Sequence, residues 1–243
     1  MNKTFNMALA VAAAAGMVCA EIETAPAGYV DVAGGSFVSN PFDSFSGAAN
    51  TLADIDGSAV GLDAGYIRVI SAKGKKLFDA RYLTAENAAS EGKSEGAGWY
   101  VYANSAYGAF TNAHPLARGT SVQFNGSEQT ITMAGTLSTE NVQVTLVNGH
   151  NFVGNVSPVA KPLTSVSISN FDPDGGDYAY VNGVKYAYYE DNWYNWNDFI
   201  AGTASPIADN AVTIAAGQGI RIYCRNRFTG EQSPVVTLSG SFQ

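Results

Sequence analysis

"DYAYVNGVKYAYYE", residues 177–190, places two runs of aromatic and β-branched residues around Asn182-Gly183. Both central positions of a type I′ turn need positive φ, which Asn and Gly adopt at low cost, so this stretch predicts a β-hairpin. Strand alternation then sorts the side chains. With Val181 opposite Val184, Tyr186 and Tyr188 share one face, and Tyr178, Tyr180 and Tyr189 project from the other. Only one face can be core, so some of these tyrosines should meet solvent.

The hairpin has a counterpart upstream. "GYIRVISAKGKKLFDARYL" (65–83) sets two extended runs around Lys73-Gly74. Further landmarks recur in the same order at a separation of roughly one hundred residues. "FVSNPF" (37–42) is echoed by "FVGNVSP" (152–158), and "GWYVYAN" (98–104) by "NWYNWND" (192–198). "LARGTSVQF" (116–124) matches "IAAGQGIRIY" (214–223), and "ITMAGTLS" (131–138) matches "VTLSGSF" (236–242). Preserved order points to an internal duplication, with modules at 21–140 and 141–243. The first copy carries a polar insertion, "TAENAASEGKSEG" (84–96), read as a loop because loops absorb insertions without disturbing a packed face.

Short alternating runs bounded by Gly, Asn, Ser and Pro give the fold class: all-β, two tandem β-sandwich or small-barrel modules. Helical periodicity is scarce, and "AANTLADI" (48–55) could form at most a turn or two. Phe37 and Phe152 are expected as equivalent core residues, with the first echo strand ended by Pro41, which cannot donate to a ladder.

Residues 1–20 have Lys3, an apolar run from Met7 to Val18 and a small residue at Ala20, the layout of a secretory signal peptide. Val18 stands where a lipobox before Cys19 would want a small residue, so cleavage is placed after Ala20. The run is too short to span a bilayer, and no later stretch reaches the length of a transmembrane helix. Cys224 is then the one thiol left, either a buried hydrophobe within the strand "GIRIYC" or an intermolecular bridge. The balance of 13 Lys+Arg against 21 Asp+Glu argues against nucleic acid and anionic lipid as partners. Low charge content with 26 Gly, 13 Tyr and 12 Phe fits a rigid β-rich exported protein rather than a disordered one.

The order of an "FVSNP" start, a Gly-turn hairpin, a Trp strand, a "G-x-G" strand and a closing "T-x-x-G" strand resembles a paralogous family. Its members are exported, internally duplicated β-rich proteins of Verrucomicrobia and related bacteria. The likeness covers nearly all of the chain after residue 20, although "RGT" (118–120) stands where the second copy has Gly217-Gln218-Gly219. The resemblance implies an all-β fold and export. It supplies no catalytic residue.

Candidate chemistry is sparse. His114 and His150 lie in loops without a partner motif, and zinc spacings such as H-E-x-x-H are absent. "GKSEG" (92–96) matches Gly-x-Ser-x-Gly, but a nucleophile elbow needs a strand before it and a helix after it, and its flanks are polar. Asp172, Asp174 and Asp177 in "FDPDGGDY" (171–178) are hard oxygen donors at a spacing that suits Ca²⁺; the same residues also suit a plain turn. No other cofactor is indicated.

The aromatic groups are the main binding candidates: Tyr178, Tyr180, Trp193, Tyr194 and Trp196, with Trp99 and Tyr100 in the first copy. Rings beside amides and carboxylates hold sugars, serve protein–protein contacts or stiffen a cross-strand ladder. The expectation is therefore an exported, non-enzymatic surface or extracellular protein, structural or adhesive, whose partners are further copies or other envelope components. A carbohydrate-binding protein is the alternative. An outer-membrane β-barrel is a further one, though such barrels want strands of about ten residues.

Overall fold

The computed structural model describes residues 27–33, 37–43, 51, 66–94, 96–103, 106–109, 115–125 and 130–241. The expected signal peptide, the 48–55 segment apart from Thr51, and His114 lie outside them. Among the described residues the chain is all-β, with two short helices and one 3₁₀ turn.

The first half contributes β1 (Ala27–Ala33), β2 (Phe37–Ser39), β3 (Tyr66–Ile70) and β4 (Lys76–Leu83), then helix α1 (Ala85–Ser90). It continues with β5 (Gly98–Ala103), β6 (Ala106–Ala109), β7 (Ser121–Asn125) and β8 (Thr130–Thr136). The second half opens with β9 (Val142–Thr145), β10 (Gly149–Gly154), β11 (Lys161–Pro162), β12 (Val166–Ser169), β13 (Tyr178–Val181) and β14 (Val184–Tyr189). After β15 (Asn192–Asn195) come helix α2 (Trp196–Ile200), β16 (Thr213–Ile214), β17 (Gly219–Cys224) and β18 (Val235–Leu238).

The two larger sheets repeat one order. The first half forms β2-β7-β3-β4-β5-β6 and the second β10-β17-β13-β14-β15. The smaller sheets are β1-β8 in the first half and β12-β18-β9 in the second, with β11-β16 as a short extra pair. Among the described residues every strand ladder stays within its own half, and the sheets are open. In the second half the five-stranded and three-stranded sheets share one core, in which Val153, Ile220 and Ile222 meet Val166, Ile168 and Val236. The first core holds Val38, Ile67, Val69, Trp99 and Val122.

The hairpin reading holds at Asn182-Gly183, where φ is 51° and 78°, and Val181 pairs with Val184. A second tight turn follows at Glu190-Asp191, both at positive φ. No glycine marks it in the sequence; Tyr188 donates to the Asp191 carboxylate at 3.3 Å across it. The insertion at 84–96, expected as a loop, instead folds its first part into α1. Thr84 caps that helix by accepting from the Asn87 N–H at 3.2 Å, and Gly92 at φ 66° follows its end.

The two echo strands meet. Phe37 and Phe152, expected as equivalent core residues, are half-buried and stack on each other at 5.0 Å. Around them the hydrogen bonds are reciprocal. Ser39 N–H donates to Gly217 O at 2.7 Å, and Gly154 N–H donates to Gly119 O at 3.0 Å. Val38 bridges Gln218, and Val153 bridges Thr120. Behind each crossing a buried asparagine closes the loop. Asn40 accepts from Phe42 N–H and donates to Leu116 O; Asn155 accepts from Ser157 N–H and donates to Ile214 O. These paired side-chain bonds satisfy groups that would be costly to bury alone.

Arg118 completes the junction. It is buried and donates to the carbonyls of Pro41, Ser138 and Val156, the last belonging to the other half.

Candidate functional site

The outward face of the five-stranded sheet is built by period-two alternation. Inward go Val153, Ile220, Ile222, Ala179 and Tyr186; outward go the residues between them. Register then aligns the outward side chains strand by strand. Tyr223 stands opposite both His150 and Tyr178, Arg221 opposite both Phe152 and Tyr180, and Tyr180 opposite Lys185.

The result is a continuous row of rings and cations. Tyr178 stacks on Tyr223 at 4.9 Å with an interplanar angle of 17°. His150 lies 5.1 Å from Tyr223 and 6.5 Å from Phe152, which continues to Phe37. At the other end Trp196 meets Tyr178 edge-on at 5.8 Å. Lys185 places its Nζ 3.5 Å from the Trp196 ring centre and 3.9 Å from that of Tyr178. The Arg221 guanidinium lies 4.4 Å above Tyr180. Such contacts hold a cation against a ring face without cancelling its charge.

Burial shapes the protonation of the row. It pushes the Lys185 ammonium below its ordinary value, and burial together with the Arg221 charge lowers His150 as well. Burial also raises the Tyr178 hydroxyl, so that ring stays a neutral donor. One flank of His150 is closed by the β3–β4 turn, whose Ala72 O accepts from the His150 N–H. Gly74 in that turn has φ 72°, and an added Cβ would come within 2.9 Å of the imidazole.

The structure divides the residues expected to bind. Tyr178, Tyr180 and Trp196 belong to the row, and Tyr194 sits beyond it against Phe199 of α2 at 5.8 Å. Trp193 does not belong: it is 1% exposed, packs on Tyr188 at 5.0 Å and donates its indole N–H to Val166 O. Trp99 is its counterpart, turned inward against Tyr82 at 5.8 Å. Tyr100 points outward but is only 1% exposed, because α1 covers it with Ala88 and it donates to Gly96 O. Arg221, Tyr223, Lys185 and His150 were not among the expected residues, although the alternation of "GIRIYC" and "VKYAYY" carries the signal for three of them.

The Asp172–Asp177 turn, read as a turn or a calcium site, is tied by two arginines. Asp177 is fully buried; it accepts from the N–H groups of Asp172 and Arg225 and pairs with the Arg227 guanidinium. Asp172 accepts from Gly175 N–H at 2.9 Å and from Arg225 at 2.9 Å. Burial pushes the Asp172 carboxyl up, but the Gly175 N–H and Arg225 outweigh it and hold it below the ordinary range. Asp174 is exposed and takes no part in these bonds. Arg225 and Arg227 thus bind carboxylate oxygens of Asp172 and Asp177, and among the described residues no three His, Cys, Asp or Glu side chains are placed to hold a metal. The neighbouring Cys224 is a buried, free thiol pushed up to about 12 by burial and by Asp177.

Among the described residues no helix is long and apolar enough to cross a membrane. Comparison with protein-family models, with curated proteins and with solved structures returns no match for this chain.

Proposed function

We propose that this chain is an exported, non-enzymatic component of a cell surface or extracellular layer, structural or adhesive, acting through the outward faces of its β modules. The observation that carries this reading is the ring row from Phe37 to Trp196, half-buried and continuous across both halves. Tyr and Trp offer large contact area with little conformational freedom to lose, which suits association by area. The junction made by Arg118 and the two asparagine turns holds the row on one frame. The leader at 1–20 and the resemblance to exported duplicated proteins support export.

The test is light scattering of residues 21–243 over a range of concentrations without detergent, alongside co-sedimentation with envelopes of the source cells. Growth of mass with concentration, or envelope retention, that is lost in a Tyr178→Ala/Tyr223→Ala variant is the expected result. A monomer that ignores envelopes, or binding that the double variant leaves unchanged, overturns the reading.

Carbohydrate binding is the second reading. It is favoured by Tyr178, Tyr180 and Tyr223, which share the outward face with Lys185 and Arg221 and carry hydroxyls able to donate and accept. The outer-membrane barrel has less support. The apolar side chains turn toward interiors filled by Ile67, Trp99, Ile220 and Trp193 rather than outward to a lipid band.

A further inference from the structure

We infer that the outward face of the five-stranded sheet binds a carboxylate-bearing polysaccharide, an inference that rests on the carbohydrate reading and names the sugar class. Three registered positions carry it. In the first half Gln123, Arg68 and Asp79 stand side by side across β7, β3 and β4. There Asp79 binds Arg68 at 2.8 Å and Lys76 at 2.9 Å, so the cations there already share an acid. The matching positions across β17, β13 and β14 hold Arg221, Tyr180 and Lys185. A ring stands between two cations, and the acid is replaced by a lysine.

Neither Lys185 nor Arg221 takes part in an ion pair among the described residues. Arg221 lies over the Tyr180 ring at 4.4 Å, a contact that leaves its charge without a carboxylate partner. None of the outward positions 150, 152, 178, 180, 185, 221 and 223 is Asp or Glu. This patch is a local exception in a chain of formal net charge −8. Repulsion from carboxylates elsewhere is screened beyond about 8–10 Å at physiological salt.

A uronic-acid polymer matches the face group by group. Its carboxylates meet the guanidinium and ammonium in charge-assisted hydrogen bonds. Its hydroxyls and C–H groups run along the outward side of the ring row, whose stacked faces are already taken up by Tyr178 on Tyr223 and Phe37 on Phe152. An acidic peptide offers the carboxylates without the hydroxyls that a sugar brings to the tyrosines of the face.

The experiment measures binding of residues 21–243 to polygalacturonate, alginate and hyaluronan, to fully methyl-esterified pectin and to poly-L-glutamate. Binding to at least one uronate polymer is expected, at least tenfold tighter than to esterified pectin or polyglutamate, and weakened by salt. Arg221→Gln and Lys185→Gln should each weaken it at least tenfold while leaving the thermal midpoint near that of the parent. The esterification comparison uses the unaltered chain, so it stands even where a variant folds poorly. Equal binding to free and esterified polymers leaves carbohydrate binding intact and overturns the charge inference. Equal binding to polyglutamate overturns it in favour of charge alone, and indifference to both variants overturns its location. Binding to no polysaccharide overturns the inference and the carbohydrate reading together.

Discussion

The two halves of the molecule use one strand order to opposite ends where they touch. Matched positions Ser39 and Gly154, and again Ser121 and Gly219, are serine in the first half and glycine in the second. The serine hydroxyls donate into the second half, to Asn155 O at 3.1 Å and Val153 O at 3.2 Å. The glycines make the room: a Cβ on Gly154 would lie 2.7 Å from the Ser39 Cβ, and one on Gly219 would lie 2.6 Å from the Ser121 Cβ. One half supplies bonds and the other supplies space, so each fits the other better than it would fit a second copy of itself. The outward faces diverge in the same way, an ion-paired row in the first half and an unneutralised cation–aromatic row in the second.

The largest effect should come from the inward tryptophans at matched positions. Trp193→Ala and Trp99→Ala each empty a buried indole site and should cost about 3–5 kcal/mol in denaturant unfolding. Trp196→Ala, on the half-buried row, should cost about 1 kcal/mol or less. A Trp193 variant as mild as the Trp196 one would break the assignment of core and face.

The junction comes next. Gly219→Ala should lose about 1–3 kcal/mol through overpacking against Ser121 and Phe37. Adding Ser121→Gly should recover part of that loss, a coupling read from a double-mutant cycle. Additive losses would mean that the halves do not fit by exchange of serine against space.

The smallest effect is acid sensitivity. Against the opposing effect of burial, Asp172 in the second half is held below the ordinary 3.8 by the Gly175 N–H and Arg225, and Asp79 in the first by Arg68 and Lys76. A carboxyl depressed in the folded chain stabilises above its unfolded value, and that contribution is lost as pH falls through the folded one. The thermal midpoint should therefore drop below about pH 4, beneath a smaller decline that starts near pH 6.5 because the folded chain holds the His150 imidazole below its ordinary value. Arg225→Gln should reduce the drop in the second half, and Arg68→Gln should do so in the first. A midpoint that falls equally in parent and variants would remove the arginines from the account.

Much of the construction was legible in the residues. The Asn182-Gly183 turn and the split of Tyr186 and Tyr188 from Tyr178 and Tyr180 follow from a local period of two and a local φ requirement. The Glu190-Asp191 turn was not legible, because neither residue advertises positive φ as glycine does. The candidate face was half legible: Tyr178, Tyr180 and Trp196 lie on the outward row, while Trp193, Trp99 and Tyr100, expected on a surface, are buried. Richness in rings marks the region, but it does not say which ring lies under a second layer or beneath a covering helix.

The sequence by itself determined the all-β class, the order of landmarks in the two halves and the hairpin on which the ring row is mounted, since these depend on neighbours a few residues apart. Tertiary structure alone decided that Phe37 meets Phe152, that Arg225 and Arg227 occupy the aspartate turn, and that Lys185 stands where its counterpart position holds Asp79. Those outcomes bring together residues about 50 to 115 positions apart, through strand pairings between distant segments that no local period encodes.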